Sequence, residues 1–179
     1  MNSNSKSVSV RGAEVADAEE IARVHVGSWQ GAYRGLISDE VLDGLSIEGR
    51  TRQWRGWLAP GGERALTLVA ARDALIVGFV TLSTRSRDDD EPAGVGEVPA
   101  LYVLPSAWGA GVGGTLLDAS VRELRAAGCS QAILWMLEGN DRAARFYEGQ
   151  GWRADGGRRG SQYYPEDVDL VEVRFRREL

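Results

Sequence analysis

"PSAWGAGVGGTLLDAS", residues 105–120, decides how this chain is read. Gly109, Gly111, Gly113 and Gly114 crowd its centre. Before it runs "GEVPALYVL", a strand pattern halted by Pro105. After it, Leu117, Val121, Leu124 and Gly128 recur at helical spacing, with Gly128 in the stop position. A glycine turn between a strand and a helix collects backbone N–H groups beside a helix N-terminus, which suits an anion. The stretch therefore predicts a phosphate cradle.

Three phosphate loops fit part of it. A nucleotide-hydrolysing P-loop needs a lysine after its last glycine. Gly109 to Gly114 has that spacing and Thr115 follows, but the only lysine in the chain is Lys6. A dinucleotide fingerprint, G-x-G-x-x-G, also fits, with Glu138 at the end of the next strand as a ribose-binding acid. Against that NAD-linked oxidoreductase reading, Pro105 to Trp108 separate strand from turn. Only about 40 residues follow "AILWMLEGN", too few for a doubly wound sheet. The third reading is the pyrophosphate loop of an acyl-CoA enzyme, which needs no lysine. Here glycines are expected because a Cβ would obstruct close backbone approach.

The rest of the chain predicts an α+β order. "SVSVRGA" suggests a first strand. Asp17 and Glu20 form a capping-box pattern at the head of a helix whose face carries Ala18, Ile21, Ala22, His25, Trp29 and Ala32. "SDEVLDGLS", capped by Ser38, and "IEGRTRQWRGWLA" suggest two more helices. "RALTLVAARD" and "ALIVGFVTLSTR" read as a hairpin broken near Asp73. "SRDDDEPAG" reads as a solvated acidic loop. "QAILWMLE" is a buried strand. "NDRAARFYEGQG" is a short helix capped by Asn140 or Asp141 and closed by Gly151, and "LVEVRFRREL" is a last alternating strand or hairpin.

Two motifs together resemble the GNAT superfamily of N-acetyltransferases. The first is the loop itself, although Trp108 stands where that family carries Gln or Arg. The second is "NDRAARFYEGQGW", residues 140–152, which matches the family's N-x-x-A-x-x-F-Y-x-x-x-G-[FW] pattern throughout. "WQGAYRGLISDEVLDGL" further resembles one bacterial branch of the family. The resemblance covers about Val8 to Leu179. It implies the acyl-CoA N-acyltransferase fold: a mixed, mostly antiparallel sheet of six to seven strands with helices on both faces. A single domain over 8–179 would follow a flexible tail, 1–7.

The resemblance also implies roles, with acetyl-CoA as cofactor. Leu101, Tyr102 and Val103 would pair with the pantetheine arm along a splayed strand. Trp108, Gly109, Ala110, Gly111, Val112, Gly113 and Gly114 would hold the pyrophosphate. Asn140 would hydrogen-bond the pantetheine, and Ala143, Phe146 and Tyr147 would face the cofactor. Trp29 and Tyr33 would line the acceptor cleft, and His25, on the apolar face of the same helix, reads as a core or cleft-lining residue and a candidate for substrate binding. Tyr147 suits a general acid, because a phenol and an alkyl thiol have similar pKa values, near 10. Glu97, eleven residues before Trp108, stands at the offset of the catalytic glutamate of histone-type members. It is the candidate base. A backbone N–H of the strand, that of Val103, would receive the thioester oxygen.

Composition narrows the partners. The net charge is −5 and the pI about 5.0, which disfavours a nucleic-acid backbone. One histidine and one cysteine leave no multi-histidine or cysteine metal site and no internal disulfide. Cys129 reads as a packing residue rather than a nucleophile. No apolar run reaches membrane-spanning length, and "MNSNSKSVSV" lacks a signal-peptide core, so a cytoplasmic protein is expected. The expected function is transfer of acetyl from acetyl-CoA to a primary amine of a small molecule or peptide. A CoA-binding regulator without turnover is the other alternative. A homodimer is compatible with the family.

Overall fold

The structure, a computed structural model, describes residues 8–61, 65–160 and 170–179. The tail expected over residues 1–7 lies outside them. The elements in order are β1 (Ser9–Gly12), α1 (Ala18–Ala32), α2 (Asp39–Asp43), α3 (Ile47–Leu58), β2 (Leu66–Arg72), β3 (Leu75–Ser83), β4 (Val95–Val103), α4 (Val112–Ala126), β5 (Gln131–Leu137), α5 (Asp141–Gly149), β6 (Arg153–Gly160) and β7 (Val171–Glu178). The seven strands follow the order β1-β2-β3-β4-β5-β7-β6. β4 and β5 pair in parallel, whereas β1 with β2, β5 with β7 and β6 with β7 pair antiparallel. This is the expected α+β, mostly antiparallel arrangement, and it excludes the doubly wound parallel sheet of the oxidoreductase reading.

The chain divides into two compact units. One comprises Met1–Thr81 and Ala100–Ser120, the other Leu82–Pro99 and Val121–Leu179. In the first unit, Ala18, Ile21, Ala22 and Val24 of α1 pack with Trp54, Val69, Ile76 and Phe79. The helical face read from sequence is thus the buried face. The hairpin between β2 and β3 turns on Asp73 (φ 54°) and Ala74 (φ 66°). Two consecutive left-handed residues make the tight turn whose twist matches its strands.

The capping box expected from Asp17 and Glu20 does not form. Asp17 accepts the Glu14 backbone N–H at 2.8 Å and a two-pronged contact from Arg11 at 2.6 and 2.8 Å. Arg11 holds the Asp17 carboxyl below its ordinary range. Glu20 instead accepts the backbone N–H of Ile76. A bidentate guanidinium outcompetes a local cap for a carboxylate.

In the second unit, Leu134 of β5 lies opposite Phe175 of β7. Tyr147 and Trp152 pack beside them, and Trp152 is fully buried. β6 has no strand pattern in its "RADGGRRG" sequence, and only its pairing with β7, interrupted by a register shift between Ala154 and Arg158, makes it a strand. The "RDDDE" run is solvated only in part: Arg87, Asp89 and Asp90 are exposed, but Asp88 and Glu91 are not. Asp88 pairs with Arg159 (3.0 Å) and accepts the Trp135 indole N–H (2.9 Å). Glu91 pairs with Arg174 (2.9 Å) and with Arg176. Strand arginines repeating at every second position supply the countercharge, a relation invisible in the local sequence.

Candidate functional site

The glycine stretch lies wholly in the first unit. β4 ends, a 3₁₀ turn (Pro105–Ala107) follows, and α4 begins at Val112. Gly109 (φ +73°) and Gly111 (φ +79°) are left-handed. A Cβ built on either meets nothing within 4 Å. The left-handed backbone by itself calls for glycine at both positions, whatever approaches them. Gly109, Ala110 and Gly111 are exposed, while Val112 is buried and anchors the turn.

The first regular bond of the helix is Thr115 N–H to Gly111 O at 3.0 Å. No acidic residue stands in the first turn of α4. A helix N-terminus whose first turn holds no carboxylate suits an anion, as a phosphate cradle would.

Trp108 does not face that cradle. Its indole N–H donates to the Val103 carbonyl at 2.7 Å, tying the loop back onto the end of β4. Leu104 N–H donates to Val77 O at 2.9 Å. Two glycines of α1, one turn apart, admit this corner. A Cβ on Gly31 would stand 2.5 Å from Pro105 Cγ and 3.2 Å from the Trp108 ring, and one on Gly27 3.2 Å from Leu104. Sequence reasoning passed over Gly27 and Gly31. Two glycines at i, i+4 inside an apolar helix were the available signal.

Also in the first unit, His25, Trp29 and Tyr102 converge. His25 stacks on Tyr102 at 4.9 Å and 21° and lies 5.4 Å from Trp29. Tyr33 meets Trp29 edge-on at 5.5 Å. The Trp54 indole N–H donates to His25 Nδ1 at 3.3 Å. Burial, reinforced by the nearby Arg50 charge, pushes the His25 pKa down to about 3. The imidazole is neutral at physiological pH.

The second unit carries Glu97 and the second motif. The β4–β5 ladder covers Val95, Gly96 and Glu97 against Gln131, Ala132 and Ile133. Pro99, two residues on, has no N–H to donate. Glu97 is fully buried. Its oxygens accept the Arg87 backbone N–H at 2.9 Å and the guanidinium at 2.8 Å. A buried carboxylate requires such a partner. Arg87 is a third residue the sequence did not single out.

Asn140 caps α5, its Oδ1 accepting the Ala143 N–H at 3.1 Å. That leaves its NH₂ donors for another acceptor. Ala143 and Phe146 are partly exposed. Tyr147 is buried, 5.2 Å from Phe146 and 6.1 Å from Phe175 between ring centroids. Cys129 is buried and its thiol is pushed up by burial, which suits packing and not nucleophilic attack. Among the described residues no helix is long and apolar enough to cross a membrane.

The sequence profile of the acetyltransferase (GNAT) family matches residues 29–152. An uncharacterised N-acetyltransferase of Archaeoglobus fulgidus is 31% identical over 144 residues, covering 80% of this chain and 92% of its own. A mycothiol acetyltransferase of Frankia alni is 36% identical over 113 residues, covering 60% of this chain; the chain spans 32% of that relative's length. Among solved structures, the PaiA N-acetyltransferase of Thermoplasma acidophilum, in complex with coenzyme A, superposes with a TM-score of 0.74 at 20% identity, over 97% of this chain and 99% of its own. That likeness shows the fold. The matched residues take in both the glycine loop and "NDRAARFYEGQGW", and on that match the chain belongs to the GNAT acetyltransferase family.

Proposed function

We propose that this chain is an N-acyltransferase that moves acetyl from acetyl-CoA directly to a primary amine of a small molecule or peptide. One observation carries the proposal. The left-handed glycines Gly109 and Gly111 lead into a helix whose first turn holds no acidic residue, in a family whose members use acetyl-CoA. They suit a diphosphate without a lysine. Trp108, turned onto Val103, fixes the shape of this cradle rather than adding a side-chain donor.

When bound, acetyl-CoA supplies the acyl group: its thioester C–S bond breaks as the amine N–C bond forms. Leu101, Tyr102 and Val103 present strand backbone to the pantetheine, and the Val103 N–H receives the carbonyl oxygen as charge builds there. The Asn140 NH₂ donors hold the pantetheine amides. Ala143 and Phe146 border it. The Tyr147 phenol gives its proton to the departing sulfur. Glu97 accepts the ammonium proton only once Arg87 withdraws, because that arginine holds its carboxylate. Otherwise the amine sheds its proton to water. The protein acts as a single domain over residues 8–179, works in the cytoplasm and pairs as a homodimer.

Calorimetric titration with acetyl-CoA and with NAD is the test. Acetyl-CoA binds and NAD does not, and CoA thiol is released when an acceptor amine is present. NAD binding without acetyl-CoA binding refutes the proposal. Acetyl-CoA binding with no thiol release from any amine marks a CoA-binding regulator instead.

A further inference from the structure

Arg50 lies on α3. It lies over the Trp29 ring, 5.7 Å from its centroid, and donates to Gln53 Oε1 at 3.0 Å. Among the described residues no Asp or Glu pairs with it, whereas Arg11, Arg34, Arg87, Arg159, Arg174 and Arg176 each have an acidic partner. It is half-buried, and burial lowers its pKa below the ordinary value. An ion held partly out of water with no counter-ion is costly unless a ligand supplies one.

His25 makes a second, independent observation beside the same Trp29 ring. Its Nδ1 accepts the Trp54 N–H, so the single proton of the neutral ring is on Nε2. That Nε2–H is sealed from solvent and finds no partner among the described residues. A buried donor left unpaired carries a desolvation cost, and such groups are rare unless they serve a ligand or a water. Trp29 neighbours all three groups, with Arg50 5.7 Å, His25 5.4 Å and Tyr102 6.4 Å from its ring centroid. The spot thus holds a positive charge, a neutral N–H donor and aromatic walls, and no anion.

We infer that Arg50 and His25 form a carboxylate subsite, and that the acceptor is a small amine carrying a carboxylate, in the manner of a free amino acid. This rests on the amine-acyltransfer reading above. Arg50 supplies the charge to the carboxylate. The flexible arginine side chain shifts off Trp29 as the ligand enters, and the His25 Nε2–H donates to one carboxylate oxygen. Trp29 and Tyr102 flank the ligand's aliphatic part.

The experiment compares L-leucine with L-leucinamide. The amide's amine loses its proton more readily, so any preference for the acid opposes intrinsic reactivity. A charge-assisted contact gives the acid about a 10- to 100-fold advantage in kcat/KM, expressed in KM. Arg50→Gln brings the two amines to within about twofold of each other. Equal use of both by the unaltered protein, or a preference that survives Arg50→Gln, overturns the inference. A binding readout works without turnover. With one histidine in the chain, ¹⁵N-histidine labelling gives one Nε2–H resonance. L-leucine shifts that resonance and leucinamide leaves it in place. An unmoved resonance, or equal shifts with both amines, also overturns the subsite. Failure of the acyltransfer reading shows separately, as acetyl-CoA that does not bind.

Discussion

His25 gives the structure a measurable pH signature. In the unfolded chain the imidazole titrates near 6.5. In the folded protein burial and the Arg50 charge hold it near 3. Between these values the unfolded state binds a proton that the folded state refuses, so stability rises with pH and falls on acidification. This contribution is full above pH 6.5 and is lost progressively as pH drops toward 3. Between pH 7.5 and 5.0 the unfolded imidazole goes from largely neutral to almost wholly protonated, which costs the folded state ~2 kcal/mol. No other histidine exists to confuse the interval, and ordinary carboxylates titrate lower. Urea unfolding followed by tryptophan fluorescence at the two pH values reads the loss, a midpoint shift of about 1 M for a slope near 2 kcal/mol per molar. His25→Leu, whatever its own stability, removes most of the pH-dependent difference. If His25→Leu and the unaltered protein lose equal stability, the placement of His25 among Trp29, Trp54 and Tyr102 is wrong.

Four shorter predictions concern the proposed chemistry. Trp108→Phe removes the indole donor to Val103, costing about 1 kcal/mol of stability and weakening acetyl-CoA several-fold by calorimetry; unchanged affinity makes Trp108 purely structural. Gly111→Ala places a Cβ in open space but at φ +79°, a strain of about 1–2 kcal/mol. The loop then relaxes, and affinity for acetyl-CoA falls about tenfold while that for acetyl-pantetheine, which lacks the diphosphate, stays constant; equal losses for both ligands would falsify the pyrophosphate assignment. Tyr147→Phe lowers kcat by ~10–1000-fold with little change in acetyl-CoA affinity, and full turnover removes it from the mechanism. Glu97→Gln lowers kcat at saturating acetyl-CoA; unchanged turnover assigns the proton to water or to another group.

The element order was legible because each element announces itself over a short span. The buried face of α1, the Asp73–Ala74 break and the Gly128 stop are properties of neighbours in sequence. β6 was not legible: "RADGGRRG" has neither alternation nor β-branched residues, and its strand state comes from β7. Nor was the fate of the carboxylates. Asp17 chose Arg11, Glu20 chose the Ile76 N–H, and Asp88 and Glu91 chose arginines from strands far along the chain. Glu97 was found by its offset from the loop, but the Arg87 that holds it was not.

Sequence alone determined the glycine loop, the second motif and hence the family. Glycine spacing before a helix and a complete thirteen-residue pattern are local facts, preserved whatever the rest of the chain does. Tertiary structure decided what those residues face. Trp108 turns to Val103 because Gly27 and Gly31 leave room for the corner. His25 is neutral because aromatic rings from separate elements exclude water from it, and Arg50 lacks a counter-ion because no carboxylate among the described residues folds beside it. Charge pairing and desolvation act through space, so they are settled only when distant segments meet.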